Sequence, residues 1–83
     1  MTAILDHAAS VIADRRATYG DPAPSMATVA ARWSVTLGHP VTPVQVMLCM
    51  IDLKLARLAH NPTHRDSVFD VIGYAALLPE VTR

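Results

Sequence analysis

The fold of this chain is decided by residues 42–79, which read TPVQVMLCMIDLKLARLAHNPTHRDSVFDVIGYAALLP. The segment opens on residues 42–45, TPVQ, where a threonine is followed by a proline and, three residues after the threonine, by a glutamine. This is a capping box with proline at the first helical position, and it predicts the start of an α-helix. Residues 46–58 are then apolar on nearly every side, as in helices at the centre of a fold or at a subunit interface.

A second helix follows directly in the same stretch. The dipeptide Asn61-Pro62 breaks the first helix, and residues 63–66, THRD, have the composition of a new helix N-terminus. Apolar side chains at helical spacing supply its buried face, namely Val68, Phe69, Ile72, Ala75 and Ala76. Pro79 predicts the end of this helix, because proline cannot donate the backbone hydrogen bond that continues it.

The first half of the chain carries the same helical period. Residues 3–19 predict a helix that Gly20 terminates. A turn rich in proline follows, and either Asp21 or Ser25 is placed to cap a further helix that stops at Gly38. The chain therefore contains four predicted helices, two on each side of the loop before residue 42.

Together these segments predict an all-α fold. No part of the sequence alternates polar and apolar residues as a half-buried strand does. We expect a single compact four-helix domain over residues 1–83, with helices three and four as an antiparallel hairpin.

The composition points to self-association. In a chain of only 83 residues, 52% are apolar and 17% are charged. A domain of this size buries only about 60–65% of the surface that its unfolded chain exposes. Part of the apolar surface therefore cannot be buried within one protomer. We therefore expect a homo-oligomer.

Charge and targeting signals narrow the function classes. The formal net charge is zero, which argues against general binding to nucleic acid. Cys49 is the only cysteine, so an internal disulfide cannot form. Residues 1–6 lack the basic start and long apolar run of a signal peptide, and no apolar run is long enough to span a bilayer. We expect a cytoplasmic protein with no membrane partner.

The candidate chemistry lies in the hairpin of helices three and four. Lys54 and Arg57 share a face of helix three, while Asp66, Asp70 and Tyr74 are spaced by four on helix four. In an antiparallel hairpin, residues equally distant from the break lie level with each other. Lys54 should then face Asp70, and Arg57 should lie near Asp66.

Two interpretations of this cluster remain open. One is a structural network of ion pairs that joins two helices. The other is a ligand site, in which the lysine and arginine bind phosphate and the carboxylates of Asp66 and Asp70 hold a magnesium ion or a ribose. Mg²⁺ is the one cofactor that this pattern suggests.

A second cluster lies in residues 15–22, RRATYGDP. Most of it is explained as a helix C-terminus, with arginines that interact favourably with the helix dipole and a glycine that ends the helix. Arg15, Tyr19 and Asp21 join the candidate ligand-binding residues, because this segment leaves them available to line a pocket.

Four segments carry a family resemblance: residues 15–22, RRATYGDP; 42–46, TPVQV; 54–58, KLARL; and 64–75, HRDSVFDVIGYA. In this order they resemble a family of short phage and prophage proteins that carries a domain-of-unknown-function label. The resemblance covers nearly the whole chain and implies a phage protein, acting in the host cytoplasm. The alanine-rich, lysine-poor composition would suit an actinobacteriophage.

The pattern that runs from Lys54 to Tyr74 is also distantly similar to phage helical domains associated with nucleotide modification. It is similar as well to the all-α MazG-like nucleoside triphosphate pyrophosphohydrolases. Those enzymes hold magnesium with several glutamates and aspartates on two helices. Here Glu80 is the only glutamate, and helix three offers only Asp52, so the carboxylate set is not matched.

Three functions follow, in order of preference. The first is binding of a nucleotide or another phosphate-bearing ligand through the lysine, arginine, aspartate and tyrosine cluster. The second is an interaction protein that binds a host factor, with the charges purely structural. The third is a magnesium-dependent pyrophosphohydrolase of the MazG-like kind. The sequence assigns no catalytic residue.

Overall fold

The computed structural model describes residues 2–82, apart from the side chains of Thr2 and Tyr19. The described residues form four helices and no strand: α1 (Thr2–Tyr19), α2 (Pro22–Leu37), α3 (Pro43–His60) and α4 (Arg65–Val81). The predicted all-α class is confirmed.

The predicted helix ends in the first half of the chain are confirmed. Gly20 and Gly38 follow α1 and α2 with φ angles of 80° and 75°, in the left-handed region that glycine adopts without strain. The amide of Gly38 donates to the carbonyl of Ser34 at 3.0 Å. Asp21 caps α2 by accepting a hydrogen bond from the amide of Ala23 at 3.0 Å.

The capping box of α3 forms as its sequence predicts. The hydroxyl of Thr42 accepts from the amide of Gln45 at 3.1 Å, and the side-chain oxygen of Gln45 accepts from the amide of Thr42 at 2.9 Å. These reciprocal bonds satisfy two donors that a helix start leaves unpaired.

The start of α4 uses a cap that the sequence did not identify. His64 is the N-cap, and its Nδ1 accepts from the amide of Ser67 at 3.3 Å. Nδ1 also lies 2.8 Å from the hydroxyl oxygen of Ser67, which is a buried side chain. The imidazole thus accepts the hydrogen bond that an asparagine or serine side chain accepts at other helix starts.

The prediction that Pro79 ends α4 is wrong, because the helix continues to Val81. A proline in the final turn removes only one of the last backbone hydrogen bonds. The buried side chain of Val81 holds this turn against the core, and the hydroxyl of Thr82 donates to the carbonyl of Pro79 at 2.9 Å.

The helices pack around α4. α3 and α4 make the most extensive contact, as expected of the predicted hairpin, while α2 packs on both of them and α1 packs on α4. The small core is made of buried apolar side chains from all four helices: Ala8, Ala30, Val46, Met47, Phe69 and Val81. Within the described residues, no helix is long and apolar enough to cross a membrane.

The cap of α4 yields a first prediction. His64→Ala removes the acceptor of the Ser67 amide and leaves the buried Ser67 hydroxyl without this partner. We expect the free energy of unfolding to fall by about 1–2 kcal/mol. His64→Asp restores a cap acceptor and should recover most of the loss. Chemical denaturation checks both variants, and equal stability of all three proteins would contradict the role of His64.

Candidate functional site

A cleft of about 380 Å³ opens between α1, the start of α2, and the α3–α4 hairpin. Its volume lies within the range of about 300–1,000 Å³ that is usual for small-molecule sites. Much of its wall is apolar, formed by Val11, Ile12, Met26, Phe69 and Leu77. Polar side chains form much of the remaining lining, which we call its polar side, and they include residues from both sequence clusters.

An ion pair between Lys54 and Asp70 forms the inner part of this polar side, which we call the floor of the cleft. Lys54 Nζ lies 3.0 Å from Asp70 Oδ2, and each side chain is only 12% exposed. The predicted approach of Lys54 to Asp70 is therefore confirmed. The antiparallel hairpin brings the two residues level, since Lys54 is eight positions before Pro62 on α3 and Asp70 is eight positions after it on α4.

Arg15 forms the outer part of the same charged group. Its Nη2 donates to Asp70 Oδ1 at 3.0 Å, while its side chain is 51% exposed. The carboxylate of Asp70 thus lies between two cations, one nearly buried and one at the mouth of the cleft. We call Arg15, Lys54 and Asp70 the Asp70 cluster. It joins α1, α3 and α4 through a single carboxylate.

A second arginine lies beside the mouth. Arg16 lines the cleft and pairs with Glu80 near the end of α4. The hydrogen bond and the negative charge of Glu80 raise the pKa of Arg16 above its usual value, so Arg16 remains a cation. This pair was not predictable from the sequence, because the two residues are 64 positions apart.

The structure divides the predicted site residues into two groups. Those that line the cleft are Lys54, Asp70, Tyr74, Arg15 and Asp21. Arg57 and Asp66 do not line it. Both are exposed, and no ion pair joins them in the described part of the chain. The side chain of Tyr19 lies outside the described residues.

The placement of Arg57 has a geometric reason. Three residues on an α-helix correspond to a rotation of about 300°, so Arg57 is turned about 60° away from Lys54. A rotation of that size places Lys54 on the floor of the cleft and Arg57 in solvent. A spacing of three residues was therefore too coarse a criterion for placing Lys54 and Arg57 on the same side of α3.

The carboxylates do not gather as a metal site would require. Among residues 2–82, no three side chains of His, Cys, Asp or Glu lie close enough to hold a metal ion. Asp66 is outside the cleft, and both oxygens of Asp70 are engaged by cations. A pyrophosphohydrolase needs at least three convergent carboxylates for its magnesium, and the described residues do not form such a group.

The fold and the cleft define a small all-helical domain with a charged, ligand-sized depression between its helices. The chain belongs to the family described as Domain of unknown function (DUF6378), which matches residues 3–82. It is a small helical phage protein.

Two phage relatives support this membership. The chain is 38% identical over 80 residues to the Gene 55 protein of Mycobacterium phage L5, covering 94% of this chain and 51% of that protein. It is 32% identical over 79 residues to the Gene 55 protein of Mycobacterium phage D29, covering 94% and 52%. The chain thus spans about half the length of these relatives. No solved structure matches it.

The difference between the two predicted charge pairs can be measured by double-mutant cycles. Lys54→Met and Asp70→Asn should show a coupling free energy of about 2 kcal/mol, because Asp70→Asn leaves the nearly buried Lys54 without its charged partner and Lys54→Met leaves Asp70 with Arg15 alone. The same substitutions at Arg57 and Asp66 should be additive to within about 0.5 kcal/mol. Urea denaturation of the two cycles checks this, and equal coupling in both would contradict the described geometry.

Proposed function

We propose that the cleft binds a nucleotide or another phosphate-bearing small molecule. The observation that carries this proposal is the nearly buried Lys54–Asp70 pair in the wall of a ligand-sized cavity. Removing two charges from water is costly, and apolar side chains of similar volume often stabilise a fold as well or better. An ion pair that faces a cavity is therefore better explained by a ligand than by stability alone.

The cations at the mouth suit phosphate oxygens. Arg15 is half exposed and can turn from Asp70 to an incoming anion, and Arg16 lies beside it. A guanidinium offers several fixed donors to a phosphate group. The two arginines are about equally exposed. We propose that Arg15 makes the main phosphate contact, because its partner Asp70 keeps a second cation, Lys54, when Arg15 turns away.

The backbone offers little help to these side chains. The N-terminus of α2 reaches the cleft, and helix starts often bind anions through free amides. Here Pro22 and Pro24 have no amide proton, and the amide of Ala23 is already bonded to Asp21. Phosphate recognition would therefore depend on arginine side chains. Any Mg²⁺ would enter through the phosphate oxygens of the ligand.

The apolar wall gives the rest of a nucleotide a place to bind. Tyr74 and Met26 line the cleft, are only partly buried, and can pack against the faces of a heterocycle. The site thus combines an apolar surface, a polar floor and cations at its mouth. A nucleotide pool is found in cytoplasm, so we propose the host cytoplasm as the place of action.

Ligand binding is tested by thermal shift with nucleoside mono-, di- and triphosphates and cyclic dinucleotides, with and without Mg²⁺. A ligand at about ten times its Kd stabilises the protein by about 1.4 kcal/mol, a rise in Tm of about 6–11 °C at this size. We expect such a rise, and we expect Arg15→Ala to reduce it strongly.

The matched control is Arg32→Ala, since Arg32 is an exposed arginine of α2 that does not line the cleft. It should respond to ligand as the unchanged protein does. If no ligand at millimolar concentration moves the Tm of any of the three proteins, the cleft does not bind nucleotides and its charges are structural.

We also propose that the protein self-associates through α3. Its outward side carries Leu48 and Leu55, which are about half exposed and, being seven positions apart, lie within about 20° of each other around the helix. A second copy presents the same apolar pair, so this face can pack against its own counterpart.

Multi-angle light scattering tests this association. We expect a mass of at least about twice the 9.0 kDa of the chain. Introducing Leu48→Glu and Leu55→Glu together should give a monomer, because both charges would be buried at the contact. Val35→Glu, on an exposed part of α2, should leave the mass unchanged. A monomeric unchanged protein would contradict self-association and would favour a host factor as the partner of this face.

A further inference from the structure

The floor of the cleft and its mouth favour different parts of a ligand. Lys54 and Asp70 together carry no net charge, and both are nearly buried. A phosphate placed beside them would lose its hydration and would be repelled by the carboxylate of Asp70. The exposed Arg15 at the mouth has neither disadvantage. If a nucleotide binds, its phosphate lies at the mouth and its neutral base reaches the floor.

The hydrogen-bonding groups of the floor are of two fixed kinds. An ionised carboxylate only accepts hydrogen bonds, and an ammonium group only donates them. Asp70 therefore needs donors from the ligand, and Lys54 needs an acceptor beside those donors. Each carboxylate oxygen can accept more than one bond, so the contact of Oδ2 with Lys54 can persist when a ligand is bound.

The common bases differ in how well they match this floor. Guanine presents two adjacent donors, N1–H and the 2-amino group, next to the acceptor O6, which lysine commonly contacts. The pairing edge of adenine has one donor beside an acceptor. Cytosine has one donor and two acceptors, and uracil has a single donor between two acceptors. Guanine alone offers two donors to a carboxylate and an acceptor to a neighbouring lysine.

We propose that the cleft selects guanine nucleotides, with Asp70 accepting from the base N1–H and 2-amino groups and Lys54 donating to O6. This inference rests on the nucleotide binding proposed above and adds the identity of the base. Tyr74 lines the cleft beside Asp70 and can pack on a face of the ring.

Arg15 couples the binding of the phosphate to the binding of the base. Its Nη2 donates to Asp70 Oδ1, the oxygen that does not contact Lys54. When a phosphate draws Arg15 toward the mouth, Oδ1 becomes available to the donors of the base. The phosphate and the base therefore bind cooperatively. Guanosine without a phosphate has to compete with Arg15 for this oxygen, so it should bind more weakly than GMP.

The test is isothermal titration of the unchanged protein with GMP, AMP, CMP, UMP and IMP. GMP should bind about tenfold tighter than AMP, CMP or UMP, since tenfold lies within the discrimination that one well-made bidentate contact supplies. IMP lacks only the 2-amino group, so it should fall between GMP and the other nucleotides. These measurements need no variant and do not depend on how a substitution affects folding.

The role of Asp70 is tested by Asp70→Asn, checked for folding by circular dichroism. Its amide presents a donor in place of one acceptor, so it suits xanthine, which has a carbonyl where guanine has the 2-amino group. GMP should lose about tenfold or more in affinity, and XMP should become the preferred ligand. Asp66→Asn is the control, because Asp66 lies one turn away on the same helix and outside the cleft. It should keep the preference for GMP.

Different failures overturn different claims. If the nucleotides bind with similar affinity, or if AMP binds best, the guanine assignment is wrong while nucleotide binding stands. If folded Asp70→Asn keeps the preference for GMP over XMP, Asp70 does not contact the base. If none of the nucleotides binds to the unchanged protein, nucleotide binding itself is wrong, and the guanine assignment with it.

Discussion

The architecture depends on one carboxylate held between two cations. Asp70 on α4 contacts Lys54 on α3 and Arg15 on α1, so a single side chain connects three of the four helices. Any other register of the hairpin would leave the nearly buried Lys54 without this partner, which is costly. The apolar core around it is small, so these polar contacts and the helix caps matter more than they would in a larger domain.

The Asp70 cluster also lines the cleft. Its charged side chains lie in the lining of the cavity together with apolar side chains from α1, α2 and α4. The same contacts can therefore hold the helices together and present hydrogen-bonding groups to a ligand, so the structural and the functional interpretations of the cluster are compatible.

Local features of the fold were predictable because their causes are local. The capping box at Thr42, the cap at Asp21 and the two glycine stops each depend on a few neighbouring residues. The pairing of Lys54 with Asp70 was also predictable, since a short turn between two helices fixes which residues are level. Two features were not predicted from the sequence, the cap at His64 and the last turn of α4. At both, burial of side chains in the folded protein outweighed the usual residue preferences at helix ends.

Contacts across the chain were not predictable. Arg15 and Asp70 are 55 positions apart, and nothing in the helical period of α1 states where it packs on α4. The sequence placed Arg15 in one cluster and Asp70 in another, and only the packing of α1 brings them together. The predicted pairing of Arg57 with Asp66 does not form an ion pair, and the reason is different. Sequence spacing placed both residues on the right helices but could not resolve a rotation of about 60° around the helix axis.

The central claim, that the cleft is a ligand site and not only a structural junction, is tested most directly at Gly73. This buried glycine lines the cleft inside α4, and a Cβ added there would meet only Ile12 Cγ1, at an ordinary 3.8 Å. Gly73→Ala should raise the free energy of unfolding of the unliganded protein by about 1 kcal/mol, while its methyl group narrows the cleft and weakens the binding of GMP measured by titration. A more stable protein that binds GMP as tightly as before would contradict the claim.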